Sequence, residues 1–133
     1  MLRPAIPDAA TFGPCTAAGQ LVFPSALVAL NAEGTVSDAN RSAAFDAVSH
    51  AARTQADVIY SYLDAVAEAA GTKDMAIVRA QYFMRDVKEF GGIASAWTRK
   101  YARPHPFVCT QIPEAVISDD ARFVGDFWLY RDA

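Results

Sequence analysis

QADVIYSYLDAVAEAAGTKDMAIVRAQYFMRDVKEFGGIASAWTRKY, residues Gln55 to Tyr101, carries a helix, a strand and a second helix with their punctuation in one unbroken run. Ala56, Ile59, Leu63, Val66 and Ala70 recur every three or four residues, which is one apolar stripe along an α-helix. Gly71 supplies the stop, because glycine takes the left-handed conformation that closes a helix. After a turn at Thr72-Lys73-Asp74, Ala76 to Met84 reads as a strand with apolar residues on both faces. Ala76, Val78, Ala80 and Tyr82 share one face; Ile77, Arg79, Gln81 and Phe83 share the other. Asp86 reads as an N-cap with Glu89 three residues on, so that each side chain can satisfy a free backbone N–H at the start of the second helix. That helix shows Val87, Phe90, Ala94, Trp97 and Tyr101 on one side.

Outward from this run the signals are weaker. The first dozen residues, with Pro4 and Pro7, read as an arm. Leu21 to Leu30 is a β-prone stretch in which Pro24 demands an edge, a bulge or an unpaired position, and Asn31 to Gly34 is a turn. Ser37 to Thr54 is polar and alanine-rich; Phe45, Val48 and Ala52 give it a helical stripe, either a backward extension of the long helix or a short one of its own. Phe107 to Gln111 and Ala121 to Tyr130 read as strands joined by a connection from Pro113 to Asp120. Two strands, a helix, a strand, a helix and two strands predict an α+β fold, a single mixed sheet with both helices on one face. The other face, with Ile77 and Phe83 around Arg79 and Gln81, has the mixed character of a subunit interface.

Size and composition narrow the class. A chain of 133 residues is expected to form one domain over its whole length, and 53% hydrophobic against 20% charged residues makes it globular. The net charge of −3 and the scatter of basic residues argue against a nucleic-acid partner, since only Arg99, Lys100 and Arg103 cluster at all. Cys15 and Cys109 are too few for a disulfide framework or a zinc site, and two histidines without acids at ligand spacing leave no metal site to expect. No cofactor motif is present. No apolar run spans a membrane and no secretory signal opens the chain, so the cytoplasm is the default expectation.

The order and chemistry of these elements resemble the RidA (YjgF) family of small trimeric proteins, whose best-characterised members are enamine and imine deaminases. The resemblance is carried by Gln55, Leu63, Ala69-Ala70-Gly71, Val78-Arg79-Ala80-Gln81-Tyr82-Phe83, Asp86, Phe90, Trp97 and Tyr101. Upstream it includes Gly19 to Ala26, and downstream Pro113 and Gly125-Asp126-Phe127-Trp128. It implies a chorismate-mutase-like sheet-and-helix layer, a homotrimer with the sheets facing inward, and a small-metabolite site in each cleft between subunits.

The resemblance also implies roles. The family's water-handling glutamate on the last strand corresponds to Asp126, and its strand-end serine to Ser25. Its carboxylate-clamping arginine falls on Pro106, with Arg103 three residues earlier as the candidate substitute. The family's two helix asparagines fall on Tyr62 and Ala94, and the Ser37 to Thr54 connection is longer than in the family. His105, held between Pro104 and Pro106, is a second candidate for an anion or for base chemistry. Cys15, Phe107 and Trp97 would line a more apolar pocket. Two functions stay open: a divergent hydrolase of imines or enamines using Asp126 and His105, or a non-catalytic trimer that binds a metabolite or a protein partner. Ribonuclease activity, a name attached to some family members, finds no basic groove here.

Overall fold

The computed structural model describes residues 15–29, 47–71, 75–112 and 121–131, and in it the central run folds in the order its spacing predicts. Helix α1 spans Ala47–Ala69, so the alanine-rich segment extends the long helix backwards, and Gln55 lies inside it rather than at its start. The N-terminal arm, the 31–34 turn, the 113–120 connection and the upstream part of the 37–54 segment fall outside the described residues. Ala52, Ala56, Ile59, Leu63 and Val66 form the buried stripe of α1. Gly71 closes it with φ of 78°, its N–H donating to the Glu68 carbonyl at 3.1 Å.

Five strands make one mixed sheet: β1 (Cys15–Ala18), β2 (Leu21–Pro24), β3 (Met75–Met84), β4 (Phe107–Gln111) and β5 (Phe123–Arg131), in the order β1-β2-β5-β3-β4. The chain leaves β3, crosses through α2 (Phe90–Lys100) and returns as β4, and this crossover is why β3 and β4 alone are parallel. β5 then inserts antiparallel between β2 and β3. The helices cover one face. Tyr60, Tyr82, Phe123, Phe127, Ile93 and Leu129 are the large side chains filling the layer between. No helix among the described residues is long and apolar enough to cross a membrane.

Three expectations about faces need correction. A β-bulge between Ile77 and Arg79 inserts Val78 as an extra residue, and side-chain alternation changes sign across it. Ile77 therefore packs in the core with Ala80 and Tyr82, whereas Val78 is turned out and 47% exposed. A 3₁₀ turn at Val87–Glu89 precedes α2. Its tighter winding rotates Val87 to the surface, and the buried side of α2 is Gly92, Ile93, Ala96 and Trp97. Asp86 caps that turn by accepting from the Lys88 N–H at 2.9 Å. Glu89 does not return to Asp86 as a capping box requires; it lies buried beside Arg122, 3.7 Å away. Gln55, wholly buried, uses Oε1 to accept the Arg122 N–H at 2.9 Å and so ties α1 to the start of β5.

Candidate functional site

Alternation along β5 determines where Asp126 points. Its neighbours Gly125 and Phe127 are buried on the helix side, so Asp126 faces the opposite, outer side of the sheet, directly across from Gln81. Arg79 pairs with Trp128 in the same ladder and holds its guanidinium carbon 5.7 Å from the Trp128 ring centre. Phe23 meets the same indole edge-on at 6.0 Å. Burial raises the Asp126 carboxyl above its ordinary range, and the Arg79 charge partly opposes that rise. Around this polar trio, Leu21, Val78, Val108, Trp128 and Tyr130 are all more than a third exposed. A half-buried acid, a cation and Gln81 thus stand on a sheet face that is covered at one end, where Val28 and Ala121 pack on Val124 and Phe83, and carries exposed apolar side chains around Trp128. The sequence marked Arg79 only as a charge in a strand; its link to Asp126 depends on the β3–β5 register.

On the helix side, at the β4 edge, lies an aromatic cluster built on His105. The imidazole stacks on Trp97 at 4.2 Å with 9° between planes, and Phe90 and Phe107 complete the enclosure at 5.8 and 5.1 Å. Tyr82 Oη lies 2.6 Å from His105 Nε2, and Tyr60 Oη lies 2.7 Å from Tyr82 Oη. Each hydroxyl has one proton, and both hydroxyl protons find an acceptor along this row only if Tyr60 donates to Tyr82 and Tyr82 donates to Nε2. His105 is then neutral with its proton on Nδ1, in keeping with burial that pushes its pKa down to about 4. The sequence places Tyr82 on one face of the strand and leaves Tyr60 unmarked, one position beyond the apolar stripe; both are wholly buried. Their hydroxyls, which need partners once buried, were the signal that a polar group waits nearby.

Of the sequence-derived candidates, Trp97, His105 and Phe107 come together here. The Trp97 Nε1–H donates to the Arg103 carbonyl at 2.9 Å, which anchors the 101–106 segment on the helix side. Arg103 itself lies at the mouth of a cavity between the helices and the sheet. Ser25 follows β2 between the Val22–Leu129 pair and the Leu27–Gly125 bridge, and so runs beside the part of β5 that carries Asp126. Cys15 sits on β1 at the far edge, four strand spacings from β4, roughly 19 Å. Within one chain, Asp126 and Ser25 therefore belong to one region and His105, Arg103, Phe107 and Trp97 to another, with the sheet between them.

The enclosed imidazole makes a pH prediction. The His105 pKa is about 4 in the fold against an ordinary 6.5, so between those values the unfolded chain binds a proton that the native chain does not. Its contribution is complete above pH 6.5 and is lost as pH falls towards 4. Glu89 and Asp126, whose carboxyls are raised by burial, act in the opposite sense when they protonate. Urea midpoints measured across this window for the protein and for His105→Gln isolate the histidine, because both chains keep the two acids. The substituted chain is expected to show the weaker acid loss; parallel curves would refute the assignment.

No family profile and no curated protein sequence matches this chain. Solved structures do. RidA from the Antarctic bacterium Psychrobacter sp. superposes with a TM-score of 0.71 at 18% identity, over 96% of this chain and 94% of that one. TdcF of E. coli, solved with bound serine, gives 0.73 at 17% identity over 98% and 95%. Yeast Mmf1 gives 0.74 at 13% identity over 98% and 94%. The likeness spans nearly the whole of both partners in each case, and it is a likeness of fold.

Proposed function

From the RidA fold of this chain as premise, we propose that the protein is a single-domain homotrimer that hydrolyses a small imine, enamine or related C–N compound in clefts between protomers. The observation that carries this reading is Asp126: a half-buried carboxyl of raised pKa, beside Arg79, on the outer sheet face among exposed apolar side chains. A second protomer against that face would bury Trp128, Tyr130 and Val78, and would leave Asp126, Arg79 and Gln81 as polar groups in an apolar cleft.

The chemistry asks little of the protein, because an iminium carbon is already electrophilic. Asp126 takes a proton from water as the water oxygen bonds to that carbon and returns it to nitrogen; as the C–N bond breaks, the remaining hydroxyl proton passes through the same carboxylate to the departing nitrogen, leaving a carbonyl compound and ammonium. Arg79 supplies positive charge for an anionic end of the substrate, and Ser25 a hydroxyl from the segment that follows β2. Phe107 and Cys15 stand on the two edge strands, where a neighbouring protomer can reach them. We assign the protein to the cytoplasm, with a small metabolite and no nucleic acid as its partner. Arg99 and Lys100, two of the three clustered cations, are already ion-paired with Asp57 and Asp64 at 2.7 and 2.6 Å.

A second reading, a trimer that binds a metabolite without turning it over, draws on a separate observation: Arg103 and His105, the other candidates for the anionic end, lie on the helix side, away from Asp126. Supplying 2-iminobutanoate or 2-aminoacrylate generated in situ separates the two. The hydrolase reading expects loss of the imine faster than in buffer, falling about 10²-fold or more in Asp126→Ala. No rate with any imine tried would leave the binding reading.

A further inference from the structure

Beneath the helices, at the end of the layer where both helices finish, lies a cavity of about 210 Å³. It belongs to one chain alone and is separated by the sheet from Asp126. Its floor is Leu63, Ile77, Leu129 and the edge of Trp97, all buried, and Ala67 and Met75 form half-buried walls. Asp64, Tyr101 and Arg103 stand at the mouth.

The charges at the mouth do not balance. Asp64 is neutralised by Lys100, whose Nζ lies 2.6 Å from its Oδ2. The negative end of α1 is answered by Arg131, which donates to the Ala70 carbonyl at 3.0 Å. Among the described residues, nothing pairs with the Arg103 guanidinium, although its backbone is pinned by Trp97. An unpartnered cation on an anchored segment, above an aliphatic floor, is complementary to a small amphiphile with an anionic head.

We propose that this cavity is a ligand site for a small aliphatic carboxylate, its chain against Leu63, Ile77 and Leu129 and its carboxylate on Arg103. The volume selects the size. An apolar cavity of roughly 150 Å³ holds benzene, so about 210 Å³ takes a chain of slightly greater bulk. Aromatic acids fit less well, because Trp97 is 2% exposed, with His105 stacked on its ring at 4.2 Å and Tyr101 tilted against it at 4.3 Å.

Two-dimensional NMR of the full chain titrated with hexanoate, and separately with hexan-1-ol, tests this. Hexanoate is expected to shift the Met75, Ile77 and Leu129 amides and the Trp97 indole N–H, and to bind about tenfold more tightly than the alcohol. Arg103→Gln, a change at an exposed side chain, should abolish that preference while the alcohol still binds. Ala67→Phe, which fills the cavity from its half-open wall, should abolish both. Equal affinity for the two ligands in the unsubstituted protein, shifts confined to other residues, or a preference for hexanoate that survives Arg103→Gln would overturn the proposal.

Discussion

Replacing Phe127 with alanine is expected to lower stability by about 3–5 kcal/mol, the cost of emptying a large aromatic site in a close-packed core. Phe127 is wholly buried, on the central strand of the sheet, and its ring meets Tyr60 at 6.3 Å and Tyr82 at 5.8 Å in edge-to-face contacts. Its place depends on Gly125: a Cβ there would stand 2.5 Å from Phe127 Cε2 and 2.8 Å from Cζ. Gly125→Ala alone should therefore cost about 1–3 kcal/mol through overpacking. In the Phe127→Ala background the same methyl group enters vacated space, so the double substitution should cost clearly less than the two singles combined. Urea unfolding at one fixed protomer concentration, because assembly adds to apparent stability, measures all three. Additive costs would show that the glycine is not there to admit the ring.

The second large effect concerns assembly. Trp128 is 44% exposed in one chain and lies on the exposed part of the outer sheet face, between Arg79 and Phe23. Trp128→Glu would set a second carboxylate beside Asp126 on a surface that the proposed trimer buries. Burying an unpaired charge costs several kcal/mol, and the neighbouring acid adds repulsion. The expected result is a particle with the mass of one 14.3 kDa chain, against three times that for the unsubstituted protein, by sedimentation at micromolar concentration. Far-ultraviolet circular dichroism should stay close to native, since the side chain makes no core contact on the helix side. A monomeric mass for the unsubstituted protein would remove the trimer and the inter-protomer cleft together.

Much of the fold was legible because its signals are local. The α1 stripe, the Gly71 stop, the Asp86 cap and the order of strands and helices each depend on residues within one or two turns of each other. The site was legible only as a set of candidates. Asp126 was marked by an acid in an apolar strand, and His105 by an imidazole between two prolines. Nothing in their spacing says that they end on opposite sides of the sheet. Arg79 was visible as a charge in β3, but its pairing with Trp128 and its influence on Asp126 arise from a strand more than forty residues later in the chain.

From Gln55 onward the sequence by itself determined which segments become helix and which become strand, because periodicities of 3.6 and 2 and the chemistry of caps act over a few residues. Upstream it left β1 unlocated and ran β2 past Pro24. Only the tertiary structure decided which face each side chain took. One extra residue at Val78 inverts the alternation of β3, one tight turn at Val87–Glu89 rotates α2, and the Trp97–Arg103 bond holds the 101–106 segment on the helix side. Faces follow from register, and register is set by partners far away in the chain. That is why the run from Gln55 to Tyr101 predicts the layer correctly and leaves the chemistry divided between its two sides.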